Sequence, residues 1–188
     1  MNEPGDKQKA SERRTVDEAL AALEVIEKRH VPVLLARLRR RLDLPPGSEV
    51  LEIGAAQGTY LTALTRHGFR ARGVEPWPPA IEVSKELSKR TGVETDITLG
   101  RGEELPFESE SFDLVLAISV MEHVQDPDAV FRALRRAGFS EAVERWDLVD
   151  PDELSGRKRL GSLAVQRVPG MRIVGAFASG AIAFLAIK

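Results

Sequence analysis

The chain contains no cysteine. Disulfides, thiolate zinc sites, a cysteine nucleophile and iron–sulfur clusters are therefore excluded by inventory. Histidine is scarce: His30, His67 and His123 stand far apart, which argues against a histidine-rich metal centre, and no metal is expected. Neither sign of charge is in excess. With 27 basic against 29 acidic residues the formal charge is -2, so nothing general draws the chain to nucleic acid or to an anionic membrane, and neither partner is expected. The opening MNEPGDKQKASERR lacks the apolar core of a signal peptide, which predicts a cytoplasmic protein with a flexible tail over residues 1–14. An apolar stretch, IVGAFASGAIAFLAI, lies between Arg172 and Lys188. At 15 residues it falls short of the roughly 20 that cross a bilayer, and its glycines fit a turn between two short buried strands.

What is present is an ordinary globular composition, 43% hydrophobic over 188 residues, which predicts one packed domain over 15–188. Thr15 followed by Glu18 is a capping-box pattern, and Val16, Leu20, Leu23 and Ile26 recur behind it at helical spacing. A second helix is predicted from about Val33 to Leu42, stopped by Pro45, Pro46 and Gly47. The cluster Arg37, Arg39, Arg40 and Arg41 is either a phosphate grip or a solvated helix end favoured by the helix dipole. Beyond it the texture changes. EVLEI (49–53), RARGVE (70–75), ETDITL (94–99) and FDLVLAIS (112–119) read as strands, with helices near 59–67 and 78–91 between the first three. That alternation predicts an α/β fold with a parallel sheet covered on both faces. Ligands of such sheets bind at the carboxyl ends of the strands, so the loops after residues 53, 75, 99 and 119 are the places to search.

The first of these loops is GAAQG, a run of side chains almost without functional groups. Small residues let the backbone approach a ligand, and the helix that follows offers free N–H groups and a partial positive charge. Gly54 and Gly58 are four apart with Ala56 between them, which fails the G-x-G-x-x-G dinucleotide fingerprint; a plain tight turn is the competing reading. Glu75 ends the second strand 17 residues after Gly58, where a carboxylate can accept both hydroxyls of a ribose or simply be solvated.

Taken in order, VLEIGAAQGTY, GVEP, GRGEELPFESESFDLVLAISVMEHV and DPDAVFRAL resemble the class I, S-adenosylmethionine-dependent methyltransferases, particularly the small-molecule group built like the quinone-biosynthesis enzymes. The match covers roughly residues 45–133. It implies a Rossmann-like three-layer sandwich, with 15–44 as N-terminal helices, 45–133 as cofactor core and 134–188 as a shortened C-terminal part. It further implies that the loop of Gly54, Ala55, Ala56, Gln57 and Gly58 receives the methionine part of S-adenosylmethionine, with Glu52 orienting it. Glu75 with Pro76 would hold the ribose, Gly102 and Glu103 would lie against the adenine, and Ile118, Ser119 and Val120 would pass beneath the cofactor near the substrate. Tyr60 is either cofactor-lining or a core aromatic.

The chain departs from that pattern in three places. Ala56 stands where the family usually has glycine, and Arg101 where it usually has aspartate. After Leu134, FRALRR runs straight into AGFSEAVERWDLV, which looks like the end of a later helix and the sixth strand. The usual fifth strand and lid are therefore expected to be missing, with the last apolar stretch forming an antiparallel strand on the edge side of the sheet. Methyl transfer is an in-line displacement on an activated carbon, so the protein mainly holds donor and acceptor together and excludes water. A general base is required only for an acceptor that must lose a proton; His123 is the candidate, and packing of a local turn is its alternative role. SVME stands in place of the Asn/Asp-Pro-Pro-Tyr/Phe motif of amino-directed enzymes, which argues against a DNA or protein amide nitrogen as acceptor; the resemblance implies a small-molecule acceptor methylated at oxygen, carbon or nitrogen, with S-adenosylhomocysteine as product. Two alternatives stand beside this expectation, a methyltransferase-like binding or scaffold module and a nicotinamide-dependent oxidoreductase.

Overall fold

The computed structural model describes residues 15–39, 44–120, 123–147 and 182–187. Six strands, β1 (Glu49–Ile53), β2 (Arg70–Glu75), β3 (Asp96–Leu99), β4 (Leu114–Ile118), β5 (Ser140–Asp147) and β6 (Ile182–Ile187), form one sheet in the order β3-β2-β1-β4-β6-β5. The first four are parallel, and their register sets Glu52 opposite Gly73 on one side and Leu116 on the other. β6 runs antiparallel to both β4 and β5. Among the described residues, β4 thus pairs directly with β6, with no parallel strand between them. The last apolar stretch was expected on the edge side; instead β6 is an inner strand and β5 is the edge. Its sequence IAFLAI has no polar alternation, the pattern expected of a strand covered on both faces. The earlier half of that stretch lies outside the described residues.

The two predicted N-terminal helices form one helical run. Helix α1 (Val16–Val25) passes through a five-residue π turn, Ile26–His30, into α2 (Val31–Arg39). Thr15 starts it as a true capping box: Glu18 N–H donates to Thr15 Oγ1 at 3.3 Å, and Thr15 N–H donates back to Glu18 Oε2 at 2.7 Å. The wide turn shifts the helical register, so that Ala19 and Leu23 before it, Ile26 at its start, and Val31 and Leu34 after it are all buried. Arg40 and Arg41 lie outside the described residues.

Alternation along the strands assigns the two faces of the sheet. Val50, Leu114 and Leu116 pack with Leu34, Leu61 and Leu64, under α2 and α3 (Thr59–Arg66). Ala19, Leu23 and Ile26 then seal α1 onto Ala63 of α3 and Leu87 of α4 (Pro78–Thr91). Leu51, Ile53, Val115 and Ala117 face the other way, against Val130 and Leu134 of α5 (Pro127–Arg136). Asp126 caps α5 by accepting from Ala129 N–H at 3.0 Å. With period two, Glu52 falls on the same face as Val50, beneath α3, and Glu75 on the same face as Ala71.

Candidate functional site

The loop after β1 is built by its backbone. Gly54 adopts φ +70°, and a Cβ there would stand 2.3 Å from Val120 Cγ2, so both conformation and space demand glycine. The N–H groups of Gly54 and Ala55 donate to Val74 O at 2.8 and 3.1 Å, tying the turn to β2. Ala56 N–H donates to Glu75 Oε2 at 2.8 Å, and Trp77 N–H to Glu75 Oε1 at 3.0 Å. Both oxygens of this carboxylate are therefore anchored, and each keeps a lone pair for a further donor. Ala56 itself lies in the left-handed region at φ +48°, a conformation that costs an L-residue about 1 kcal/mol or more. The expected family glycine is the residue this geometry would favour. Gln57 and Gly58 are buried, and Gly58 at φ +73° leads into α3.

Under this loop lies an unusual charge arrangement. Glu52 is 3% exposed, and its Oε2 has no hydrogen-bond partner among the described residues. Burial, and then the neighbouring Glu75, push its pKa well above the usual carboxylate range. Burial also raises Glu75, against the two N–H groups that favour its charged form. Glu52 is consequently the carboxyl of the two that keeps its proton more readily. Burial and the charge of Glu52 raise the Tyr60 phenol as well. Tyr60 Oη stands 2.6 Å from His30 Nδ1, with the two rings stacked at 6.0 Å and 19°.

The remaining predicted residues surround this centre unequally. Pro76 and Trp77 are exposed beyond Glu75; Leu99, its register partner on β3, is 59% exposed. Trp77 and Leu99 are large apolar side chains left exposed near the carboxyl ends of β2 and β3. In the third loop Gly102 is buried against Ile53, where a Cβ would stand 2.7 Å from Ile53 Cγ2, and Glu103 Oε1 accepts from Gln125 N–H at 3.2 Å. Arg101, in the place of the family aspartate, is exposed, and its backbone carbonyl accepts from Glu104 N–H at 3.2 Å. Ile118 ends β4, Ser119 follows at φ +54°, and Val120 covers Gly54. His123 is exposed, and its backbone N–H donates to Val120 O at 2.7 Å. The structure thus joins Glu52, Gly54–Gly58, Tyr60, Glu75 and Val120 directly; Gly102, Glu103 and His123 attach through neighbours.

Among the described residues no group of three His, Asp or Glu side chains gathers as a metal site, and no helix is long and apolar enough to cross a membrane. An open groove lined by Arg70, Arg72, Lys85, Lys89, Glu94 and Asp96 lies at the opposite end of the sheet, where β2 and β3 begin, and takes no part in these loops.

Residues 51–138 match the methyltransferase domain family. A ubiquinone biosynthesis O-methyltransferase of Xanthomonas campestris pv. campestris (strain B100) is 33% identical over 173 positions, covering 74% of this chain and 72% of that protein. Since 74% of 188 residues is about 139, about 34 of those positions are gaps in this chain. A ubiquinone biosynthesis O-methyltransferase of Azorhizobium caulinodans is 41% identical over 92 residues, 49% of this chain, which spans only 35% of that relative's length. A solved structure from Methanococcus maripaludis, named as a candidate S-adenosyl-L-methionine-dependent methyltransferase, superposes with a TM-score of 0.63 at 14% identity, covering 100% of this chain and 97% of the other. These relatives do not favour the nicotinamide oxidoreductase or the scaffold module. By its sheet, its loops and these relatives, the chain belongs to the class I S-adenosylmethionine-dependent methyltransferases.

Proposed function

We propose that this chain binds S-adenosylmethionine across the carboxyl ends of β1, β2 and β3 and promotes methylation of a hydroxyl on a small-molecule acceptor. The observation that carries the reading is the carboxylate of Glu75, anchored by the backbone N–H groups of Ala56 and Trp77 at the carboxyl end of β2 beside the Gly54–Gly58 turn. When bound, the cofactor supplies an electrophilic methyl carbon on a sulfonium. The residues present fit such a group. The free lone pairs of Glu75 accept two ribose hydroxyls, Pro76 borders them, and the backbone of Gly54, Ala55, Ala56, Gln57 and Gly58 borders the amino-acid portion. Glu52, with an oxygen left unpartnered, offers a carboxylate to a cationic group at the cost of losing its proton. Tyr60 lines the same wall, Gly102 and Glu103 border the base, and Ile118, Ser119 and Val120 form the floor on the acceptor side. The task of these residues is to orient donor against acceptor and to keep water out.

The hydroxyl acceptor is favoured by the O-methyltransferase names of the relatives. Such an acceptor must release a proton, and His123, exposed at the end of the β4 loop, is the group proposed to take it. Isotopically labelled S-adenosylmethionine incubated with hydroxylated aromatic acceptors tests the proposal. The expected result is label on the acceptor oxygen with an equal amount of S-adenosylhomocysteine formed; cofactor binding with no transfer to any acceptor would instead support a binding module.

A further inference from the structure

The π turn at Ile26–His30 is the one wide turn in the described helices, and such turns inside α-helices are frequently found at functional sites. It touches α3 at two points. Glu27 Oε1 pairs with Arg66 Nη1 at 2.6 Å near the end of α3, and His30 Nδ1 meets Tyr60 Oη at 2.6 Å near its start. Arg66 and Glu27 are partly exposed surface partners, far along α3 from the loop. Tyr60 is different: it is two residues from Gly58 and lies within the electrostatic reach of buried Glu52. Burial, then Arg29, lower the His30 pKa, which keeps the imidazole neutral and leaves Nδ1 free to pair with the hydroxyl in either direction.

We propose that His30 is a positioning residue for the cofactor loop: held by the π turn against the Tyr60 hydroxyl, it fixes Tyr60 beside Glu52 and ties the α1–α2 layer to the Gly54–Gly58 turn. The inference rests on the cofactor reading above and adds to it a residue outside every motif that carried that reading. A rotor fixed before the ligand arrives loses less entropy on binding, so the pair lowers the cost of ordering the site.

The test is calorimetric titration of S-adenosylhomocysteine into wild type, His30→Ala, His30→Gln, Tyr60→Phe, the double variant His30→Ala/Tyr60→Phe, and Glu27→Gln. The expected loss for His30→Ala and for Tyr60→Phe is about three- to tenfold in affinity each, from the range for a truncated hydrogen bond. The double variant is expected to be no weaker than the weaker single one, because both remove the same contact. His30→Gln, which retains a hydrogen-bonding group, is expected to recover most of the loss, and Glu27→Gln to bind as wild type does. Wild-type affinity in both His30→Ala and Tyr60→Phe, or losses that multiply in the double variant, would overturn the proposal. Tyr60→Phe removes a single oxygen and decides the matter should His30→Ala not fold. Failure of the wild type to bind the ligand would instead overturn the cofactor reading, and this inference with it.

Discussion

Glu52→Gln is expected to gain stability relative to wild type as the pH rises above about 4. Glu52 is 3% exposed, and burial together with Glu75 holds its pKa well above the usual carboxylate value. In the unfolded chain a glutamate titrates near 4.3. Between that value and the native one, the unfolded state gives up its proton while the native state keeps it. The native state then binds more protons, so stability is whole below about pH 4 and falls as the pH climbs toward the native pKa. One group contributes at most about 1.4 kcal/mol per pH unit over that interval. Glutamine has the same shape and does not ionise, so this loss disappears. Oε2 has no partner, so an amide placed there adds a pH-independent cost of about 1–3 kcal/mol if its N–H group is left unsatisfied. The diagnostic quantity is therefore the slope. Urea denaturation of both proteins at pH 5, 6, 7 and 8 measures it. A stability difference that does not grow in favour of the variant with pH would refute the reasoning, since it would mean that Glu52 ionises in the folded protein as readily as in the unfolded one.

Other substitutions probe the loop. Gly54→Ala, whose Cβ would stand 2.3 Å from Val120 Cγ2 at a backbone φ of +70°, is expected to lower stability by about 2 kcal/mol or more, with partial recovery in Gly54→Ala/Val120→Ala; thermal midpoints check both. Ala56→Gly is expected to change stability by no more than about 1 kcal/mol in the favourable direction, because relief of the left-handed strain at φ +48° is offset by the greater unfolded-state freedom of glycine; denaturation midpoints would show it. Glu75→Ala is expected to weaken S-adenosylhomocysteine binding by about 1.5–3 kcal/mol, the range for hydrogen bonds to a charged group, and to release the N–H groups of Ala56 and Trp77; unchanged calorimetric affinity would remove Glu75 from the site.

The parts of the molecule that were readable in the sequence are those governed by local rules. The capping pair Thr15 and Glu18 acts within one turn, and EVLEI followed by GAAQG marks a buried strand and a close-approach turn through side-chain size alone. The α4 boundaries follow from Pro78 at the start and Gly92 at φ +68° at the end. The π turn was not readable, because apolar positions on either side of it are out of phase with a single 3.6-residue period; a sequence pattern registers that as a break between helices. Contacts between distant residues were equally hidden. His30 meets Tyr60 across 30 residues, and Val120 covers Gly54 from the far end of β4, pairings that only the folded sheet creates. The place of β6 within the sheet falls in the same class: IAFLAI reads as a buried strand, but its neighbours are chosen by topology.

The electrostatics were half legible. Glu75 at the end of a strand was identifiable, whereas the raised pKa of Glu52 depends on the depth of its burial and on the nearness of a second carboxylate. In the proposed site a cationic ligand group next to Glu52 would favour its ionisation, so cofactor binding is expected to release a proton.

The central claim is that the loops after β1 and β2 hold an adenosyl amino acid. Isothermal titration with S-adenosylhomocysteine, with NADH titrated in parallel, tests it most directly. The account predicts one saturable site for S-adenosylhomocysteine, none for NADH, and about 2.7 kcal/mol of added folding stability when the ligand is at 100 times its dissociation constant. A folded wild-type protein that takes up no S-adenosylhomocysteine would contradict it.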